Sequence, residues 1–232
     1  MSDETPCASI VLASGSPRRR ELLGALGLSF RVLVSDAAED TLPNESPAEL
    51  VTRLSQAKAE AARDVRPNEI VIAADTIVVL DDDILGKPRS DAEATAMLAR
   101  LRNRQHLVYS GLAITAADAE RRSLQVAVTP VTMRAYCDAE IAAYVASGDP
   151  RDKAGAYAIQ STSLNPIADI DGCYANVMGL PLCHLYRVLR AWGCAVPVHP
   201  FRGCPQAVRA GCPWAADILY ASRTDNDPTH CK

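Results

Sequence analysis

The 232-residue chain is 48% apolar and carries 24 Lys+Arg against 28 Asp+Glu, a formal net charge of -4. That is apolar material for one sizeable α/β domain or two modest lobes, and it excludes both a disordered chain and a general nucleic-acid binder working through its overall field. No apolar run approaches the roughly 18–20 residues of a membrane span, and the opening MSDETPC lacks the basic start and apolar middle of a secretory signal, so no membrane and a cytoplasmic location are expected.

Ile10 to Ala13 read as a short buried strand and Ser14 to Ser16 as a tight turn. Pro17 opens a helix capped by Ser16, with Leu22, Leu23 and Leu26 as its apolar stripe and Gly27 as its stop. Arg18, Arg19 and Arg20 crowd positive charge at the helix end where the dipole disfavours it, and an anion in front of the free N–H groups would relieve them. An ordinary strand-to-helix junction with solvated arginines fits the stretch equally well.

Phe30 to Val34 is a second strand, followed by an acidic loop, Ser35 to Asn44, that holds Asp36, Glu39 and Asp40. Ser46-Pro47-Ala48-Glu49 is a capping box with proline at the first helical position, and Leu50, Leu54, Ala57 and Ala61 give the helix its stripe. Lys58 falls beside that stripe. Its spacing alone describes a solvated lysine, with a site at the helix edge within its reach.

Ile70 to Leu80 is the most apolar run and reads as a central strand carrying one acid, Asp75, and one hydroxyl, Thr76. A bare carboxylate there would cost several kcal/mol to desolvate, so Asp75 must be paired, metal-bound or protonated, and a functional acid is the better account. Asp81-Asp82-Asp83 closes a hairpin into Ile84-Leu85, and Gly86-Lys87-Pro88 leads to a second capping box at Ser90 to Glu93 with Ala94, Met97, Leu98 and Leu101 inward. His106 to Thr115 and Leu124 to Arg134 form a β-hairpin in which His106 is a core or strand-end histidine.

Asp138 caps a helix with Ile141, Tyr144 and Val145 inward, ending at Gly148. The segment Asp152 to Gln160 mixes charges, a glycine and a polar end beyond what packing requires, and reads as a second site wall. Ile167 to Ile170 is a strand, and a last helix carries Leu182, Leu185, Leu189 and Trp192 inward. Residues 1–195 form the expected domain. Residues 196–232 are a poorly specified tail with a short helix near Trp214 to Tyr220; the scattered Cys7, Cys137, Cys173 and Cys183 are expected as reduced thiols, and the denser Cys194, Cys204, Cys212 and Cys231 fit no zinc spacing. Strands alternating with helices around one long hairpin predict a mixed sheet covered by helices, with the first corner, Asp75, Lys87 and the second wall at one cleft.

Five stretches in this order, SGSPRRRELL (Ser14 to Leu23), AADTIV (Ala73 to Val78), GKP (Gly86 to Pro88), DKAGAYAIQ (Asp152 to Gln160) and NVMGLPL (Asn176 to Leu182), resemble the Maf-like nucleotide pyrophosphatase family from Ile10 to about Trp192. The resemblance implies an α/β Maf/inosine-triphosphatase-like fold, a mixed twisted sheet with flanking helices and a cleft between two lobes. It also implies a cytoplasmic hydrolase that cleaves nucleoside triphosphates to the monophosphate and pyrophosphate with a divalent metal, Mg²⁺ first and Mn²⁺ next. Within the family, Arg18, Thr76 and Gln160 resemble the branch acting on dTTP and UTP, and they are the implied specificity residues. Asp75 corresponds to the catalytic acid and metal ligand. Ser14, Ser16, Arg19, Lys58 and Lys87 are expected at the phosphates.

The family commonly places a glutamate in the loop after the second strand, where the register set by Pro43 and Ser46 puts Ala38, so Asp36 or Glu39 is the expected second metal carboxylate. Ser161 stands where a glycine usually follows. The expected partner is a nucleoside triphosphate, and a homodimer is compatible with the sequence. Modified pyrimidine nucleotides as substrates, and a nucleotide-binding regulator of cell division and septum formation without significant hydrolysis, are the alternative readings. The absence of a GxxxxGK[ST] stretch excludes a P-loop enzyme.

Overall fold

A computed structural model describes residues 5–6, 9–34, 37, 40–65, 69–116 and 121–220. In chain order the elements are β1 (Thr5–Pro6), β2 (Ile10–Leu12), α1 (Pro17–Gly24), β3 (Phe30–Val32), α2 (Pro47–Val65), β4 (Ile70–Leu80), β5 (Asp83–Leu85), α3 (Asp91–Leu101), β6 (Gln105–Thr115) and β7 (Arg122–Met133). They continue with α4 (Asp138–Ala146), two 3-10 turns (Asp149–Asp152 and Ala154–Ala156), β8 (Ile167–Ile170), α5 (Tyr174–Val177), α6 (Leu182–Ala191), β9 (Cys194–Ala195), α7 (Pro200–Gly203), α8 (Pro205–Ala210) and α9 (Trp214–Tyr220). The main sheet is mixed, ordered β3-β2-β4-β6-β7-β8 with β5 also on β4, while β1 and β9 pair separately.

Strand β4 organises the rest, and its two edges are unequal. On one edge β6 runs antiparallel from Val71↔Thr115 to Val79↔Leu107. The other edge is shared between parallel β2, which covers Ile70 to Ile72, and β5, which folds back on Val78 to Leu80. Between them, residues 73–77 have no strand neighbour on that edge among the described residues. Alternation along the strand sends successive side chains to opposite faces. Ile70, Ile72 and Ala74 join the core of α1 and α6 through Leu22, Leu23, Leu26, Leu185 and Leu189, whereas Val78 and Leu80 join a second core with Leu98, Leu101 and Ile141. On the opposite face Val71 and Ala73 meet Ala59 and Ala62 of α2, and Ile77 and Val79 meet Leu50, Val51 and Leu54. The apolar clusters thus break at Asp75 on one face and Thr76 on the other, beside the open stretch of edge.

Several expectations need adjustment. Strand β3 stops at Val32 rather than Val34, because its partner β2 ends at Leu12 where the chain turns into α1, and Val34 is left 62% exposed. The buried face of α2 is Leu50, Val51, Leu54, Ser55, Lys58, Ala59 and Ala62; Ala57 is half-buried and Ala61 exposed. Cys137, not Asp138, is the N-cap of α4, its N–H held by Glu140 Oε2 at 2.7 Å. Beyond β9, where periodicity fades, three helices of four to seven residues form, too short to show a stripe. They bury Cys204 in the α1–α6 core and pack Ala215 and Ile218 on Cys183 of α6.

Candidate active site

The corner between β2 and α1 is closed by its own side chains. Ser16 caps the helix, its Oγ accepting the Arg19 N–H at 3.5 Å, and Pro17 takes the first turn, where no N–H is needed. The Arg19 guanidinium folds back across the corner. Its Nε donates to Gly179 O at 2.8 Å, Nη1 to Ser14 Oγ at 3.2 Å and Nη2 to Thr76 Oγ1 at 3.1 Å. One side chain therefore joins three separate stretches of sequence, and the charge crowded at this helix end is answered in part by a carbonyl and two hydroxyls. Gly179 is required there: its φ is 105°, and a Cβ would sit 3.3 Å from both Arg19 Nε and Thr76 Oγ1.

On the other face of β4, Lys58 Nζ donates to Asp75 Oδ1 at 2.5 Å, with both residues buried at 8% and 7% exposure. The contact is possible because α2 lies unusually close to β6. Gly111, the cross-strand partner of Asp75, would place a Cβ 2.1 Å from Val51 O. The spacing of α2 describes a solvated lysine at position 58; the structure buries it because Asp75 supplies the counter-charge that a buried ammonium needs. One turn earlier on α2, Arg53 grips Glu45 through Nε (2.6 Å) and Nη2 (2.8 Å) and also donates to Asp40 O. That pairing holds the Glu45 carboxyl below the usual range and fixes the end of the acidic loop against the helix.

The second wall is built on the 3-10 turns. Lys153 Nζ is buried and donates to Asp149 O, to Asp149 Oδ1 at 3.0 Å and to Asp152 Oδ1 at 2.6 Å. Burial works against the Asp149 charge, but the Tyr144 hydroxyl, Lys153 and the nearby Arg18 charge together hold its carboxyl below the ordinary value. Asp152 is lowered against burial by Lys153 and Arg18 in the same way. Tyr144 OH donates to Asp149 Oδ2 and accepts the Ala158 N–H, so the wall is tied to α4. The Gly155 N–H donates to Gly86 O at 3.0 Å, which joins the Gly86 to Pro88 loop to the wall.

These pieces surround a cleft of about 1030 Å³ above the open edge of β4. Ser14, Ser16, Arg18, Arg19, Lys58, Asp75, Thr76 and Lys87 all line it, as do Glu45, Arg89 and Lys153. Gln160 does not; it is exposed, one residue beyond the lining Ile159. Asp36 and Glu39, the expected metal carboxylates of the loop, lie outside the described residues, as does Ala38. Lys153 was not singled out from sequence although it stands within the wall motif; the one available signal was a lysine between an acid and an Ala-Gly pair. Among the described residues no group of three or more His, Cys, Asp or Glu side chains comes together to hold a metal. Mg²⁺ binds through one or two carboxylates while substrate phosphates complete its shell. Asp75 is the deep carboxylate suited to that donor set.

Residues 9–192 match the Maf family, described as Maf-like protein. The chain belongs to this family. Among Maf-like relatives, a dTTP/UTP pyrophosphatase of Salinibacter ruber is 46% identical over 183 residues, spanning 78% of this chain and 90% of the relative. The dTTP/UTP pyrophosphatase of Geobacter sp. strain M21 is 44% identical over 186 residues, spanning 80% and 96%. The solved Ham1 protein of Staphylococcus aureus overlays with a TM-score of 0.41 at 18% identity, over 55% of this chain and 72% of that one. Among the described residues of this Maf-like chain no helix is long and apolar enough to cross a membrane.

Proposed function

We propose that this Maf-like protein hydrolyses dTTP and UTP, and modified pyrimidine nucleotides that fit the same pocket, to the nucleoside monophosphate and pyrophosphate. The catalytic unit is residues 1–195, with the segment from 196 outside it. The observation that carries the reading is the Asp75–Lys58 pair at the open edge of β4, in a cleft lined by Arg18, Arg19, Lys87 and Lys153. In this mechanism Lys58 fixes Asp75 through Oδ1, which leaves Oδ2 to accept a proton from water. The water oxygen bonds to the α-phosphorus, the bond from that phosphorus to the bridging oxygen breaks, and pyrophosphate leaves with the electron pair. Such a reaction is governed by positioning and by neutralising charge on the phosphoryl oxygens. Arg18, Arg19, Lys87 and the Ser14 to Ser16 corner supply that neutralisation, with Thr76 and Arg18 reading the nucleotide. A bound Mg²⁺ or Mn²⁺ would add Lewis-acid stabilisation of the triphosphate next to Asp75.

Purified protein should release pyrophosphate, not orthophosphate, from UTP and dTTP in the presence of Mg²⁺. Asp75→Asn should lower kcat by at least about 100-fold, the scale on which a positioned acid–base group acts. Orthophosphate as the first product, or full turnover by Asp75→Asn, would overturn the assignment.

A further inference from the structure

Six Lys and Arg side chains among the described residues line the cleft, Arg18, Arg19, Lys58, Lys87, Arg89 and Lys153, and they are not equally committed to the protein. Arg19 joins Gly179 O, Ser14 Oγ and Thr76 Oγ1, and Lys58 holds Asp75. Lys153 gives its ammonium protons to Asp149 O, Asp149 Oδ1 and Asp152 Oδ1, which uses all that an ammonium has. Arg89 is the contrast. It is exposed, and among the described residues its guanidinium makes no hydrogen bond or ion pair.

Its backbone, however, is held on both sides. The Arg89 N–H donates to Glu93 Oε2 at 2.7 Å, while Ser90 Oγ accepts the Glu93 N–H at 3.1 Å and starts α3. Pro88 is buried, and Gly86 O accepts the Gly155 N–H at 3.0 Å. Lys87 and Arg89 flank that buried proline, both exposed and both lining the cleft, so the loop carries two cationic heads on its cleft side. A fixed backbone with an uncommitted guanidinium suits an arriving anion, because only the freedom of one side chain is lost on contact.

The sheet places this loop relative to the reacting atom. The β2–α1 corner meets β4 at Ile72, whose carbonyl accepts the Ala13 N–H at 2.8 Å. Strand β5 pairs antiparallel from Leu80↔Asp83 to Val78↔Leu85, so the chain that leaves it at Gly86 heads back along β4 toward the open stretch of edge. Asp75 lies between the two. A phosphorus beside Asp75 therefore has the Arg18 corner on one side and the loop of Lys87 and Arg89 on the other. With Arg18 and Thr76 at the nucleoside, the loop is left for the leaving group.

We infer that Arg89 is a further substrate-contacting residue, which with Lys87 grips the β- and γ-phosphates and neutralises the charge that departs on pyrophosphate. The planar guanidinium can bond two phosphate oxygens at once, which the Lys87 ammonium, a point charge, does not do with the same geometry. The inference rests on the proposed triphosphate cleavage and adds the side chain that receives its leaving group.

Arg89→Gln should lower kcat/KM for UTP by about ten-fold or more and weaken product inhibition by pyrophosphate by a similar factor, while inhibition by UMP, which has neither distal phosphate, stays within about two-fold. Arg89→Lys keeps the charge without the fork and should recover only part of the loss. UTP analogues with CH2 or CF2 bridging the β- and γ-phosphorus release bisphosphonates of higher and lower basicity, and the rate gap between them should widen in Arg89→Gln. Unchanged kinetics would mean a solvated arginine, and equal weakening of pyrophosphate and UMP inhibition would mean a general field effect; either overturns the inference. Calorimetric titration of the resting protein with pyrophosphate in Mg²⁺ buffer separates the contact from turnover. Weaker binding to Arg89→Gln than to wild type supports the contact, and equal binding overturns it. Failure of the wild type to release pyrophosphate from UTP is a different result, which defeats the enzymatic reading.

Discussion

Removing the Lys58 ammonium would leave the Asp75 carboxylate buried without its salt-bridge partner, the costly way to break an internal pair. Lys58→Met should therefore lower unfolding free energy by about 3 kcal/mol, while a Lys58→Met/Asp75→Leu double variant, which removes both charges, should regain most of that loss. Urea unfolding of the two singles and the double measures the coupling. A Lys58→Met protein within about 0.5 kcal/mol of wild type would show that the pair is solvated and contributes as little as a surface one. Both variants lose turnover in either case, so stability is the readout that tells the pair's structural contribution from its chemical one. The acid was legible in the sequence, because one carboxylate within an eleven-residue apolar strand demands a partner. The partner was not legible: helical spacing places Lys58 beside the stripe, and only the approach of α2 over Gly111 moves that face inward.

At the scale of elements, motifs far apart in sequence meet on a few β4 side chains. Gly155 holds φ at 67° and lies against Val78, where a Cβ would come within 3.1 Å of the Val78 methyls while the N–H reaches back to Gly86. Alanine at this position meets both the left-handed backbone penalty and a side chain that cannot yield without disturbing the second core. Gly155→Ala is expected to cost about 1–2 kcal/mol in thermal or urea unfolding and to raise KM for UTP several-fold by displacing the Tyr157 to Ile159 wall. An unchanged KM would mean that the wall does not touch substrate. Regular elements such as β4 and α3 could be read from periodicity alone, since their apolar spacing reports burial directly. The lengths of β3 and of the tail helices could not, because each is set by its neighbours: β3 ends with β2, and α7 to α9 form against α5, α6 and the end of α1.

For the molecule as a whole, two buried histidines link stability to pH. Burial pushes His106, bonded through Nε2 to the Tyr157 hydroxyl at 2.8 Å, down to about 4, and burial with the neighbouring Arg187 charge does the same for His184. An unfolded imidazole titrates near 6.5. Above that value both states are neutral and neither histidine changes stability. Between 6.5 and about 4 the unfolded chain binds protons that the folded one refuses, so stability falls as pH falls, and it levels off below 4 once the folded histidines protonate. Each can contribute roughly 3 kcal/mol over that window. Carboxylates held low by arginines, such as Glu140 beside Arg134, lose their contribution only at more acidic pH, because an unfolded glutamate titrates near 4.5. The urea midpoint should therefore decline from pH 7 to pH 5, and a His106→Gln/His184→Gln variant, whatever its stability at pH 7, should show a clearly shallower slope. A wild-type midpoint that stays flat over that range would mean that both imidazoles already take up protons in the folded state, with water reaching a core that the packing of β6, α6 and the tail helices keeps closed.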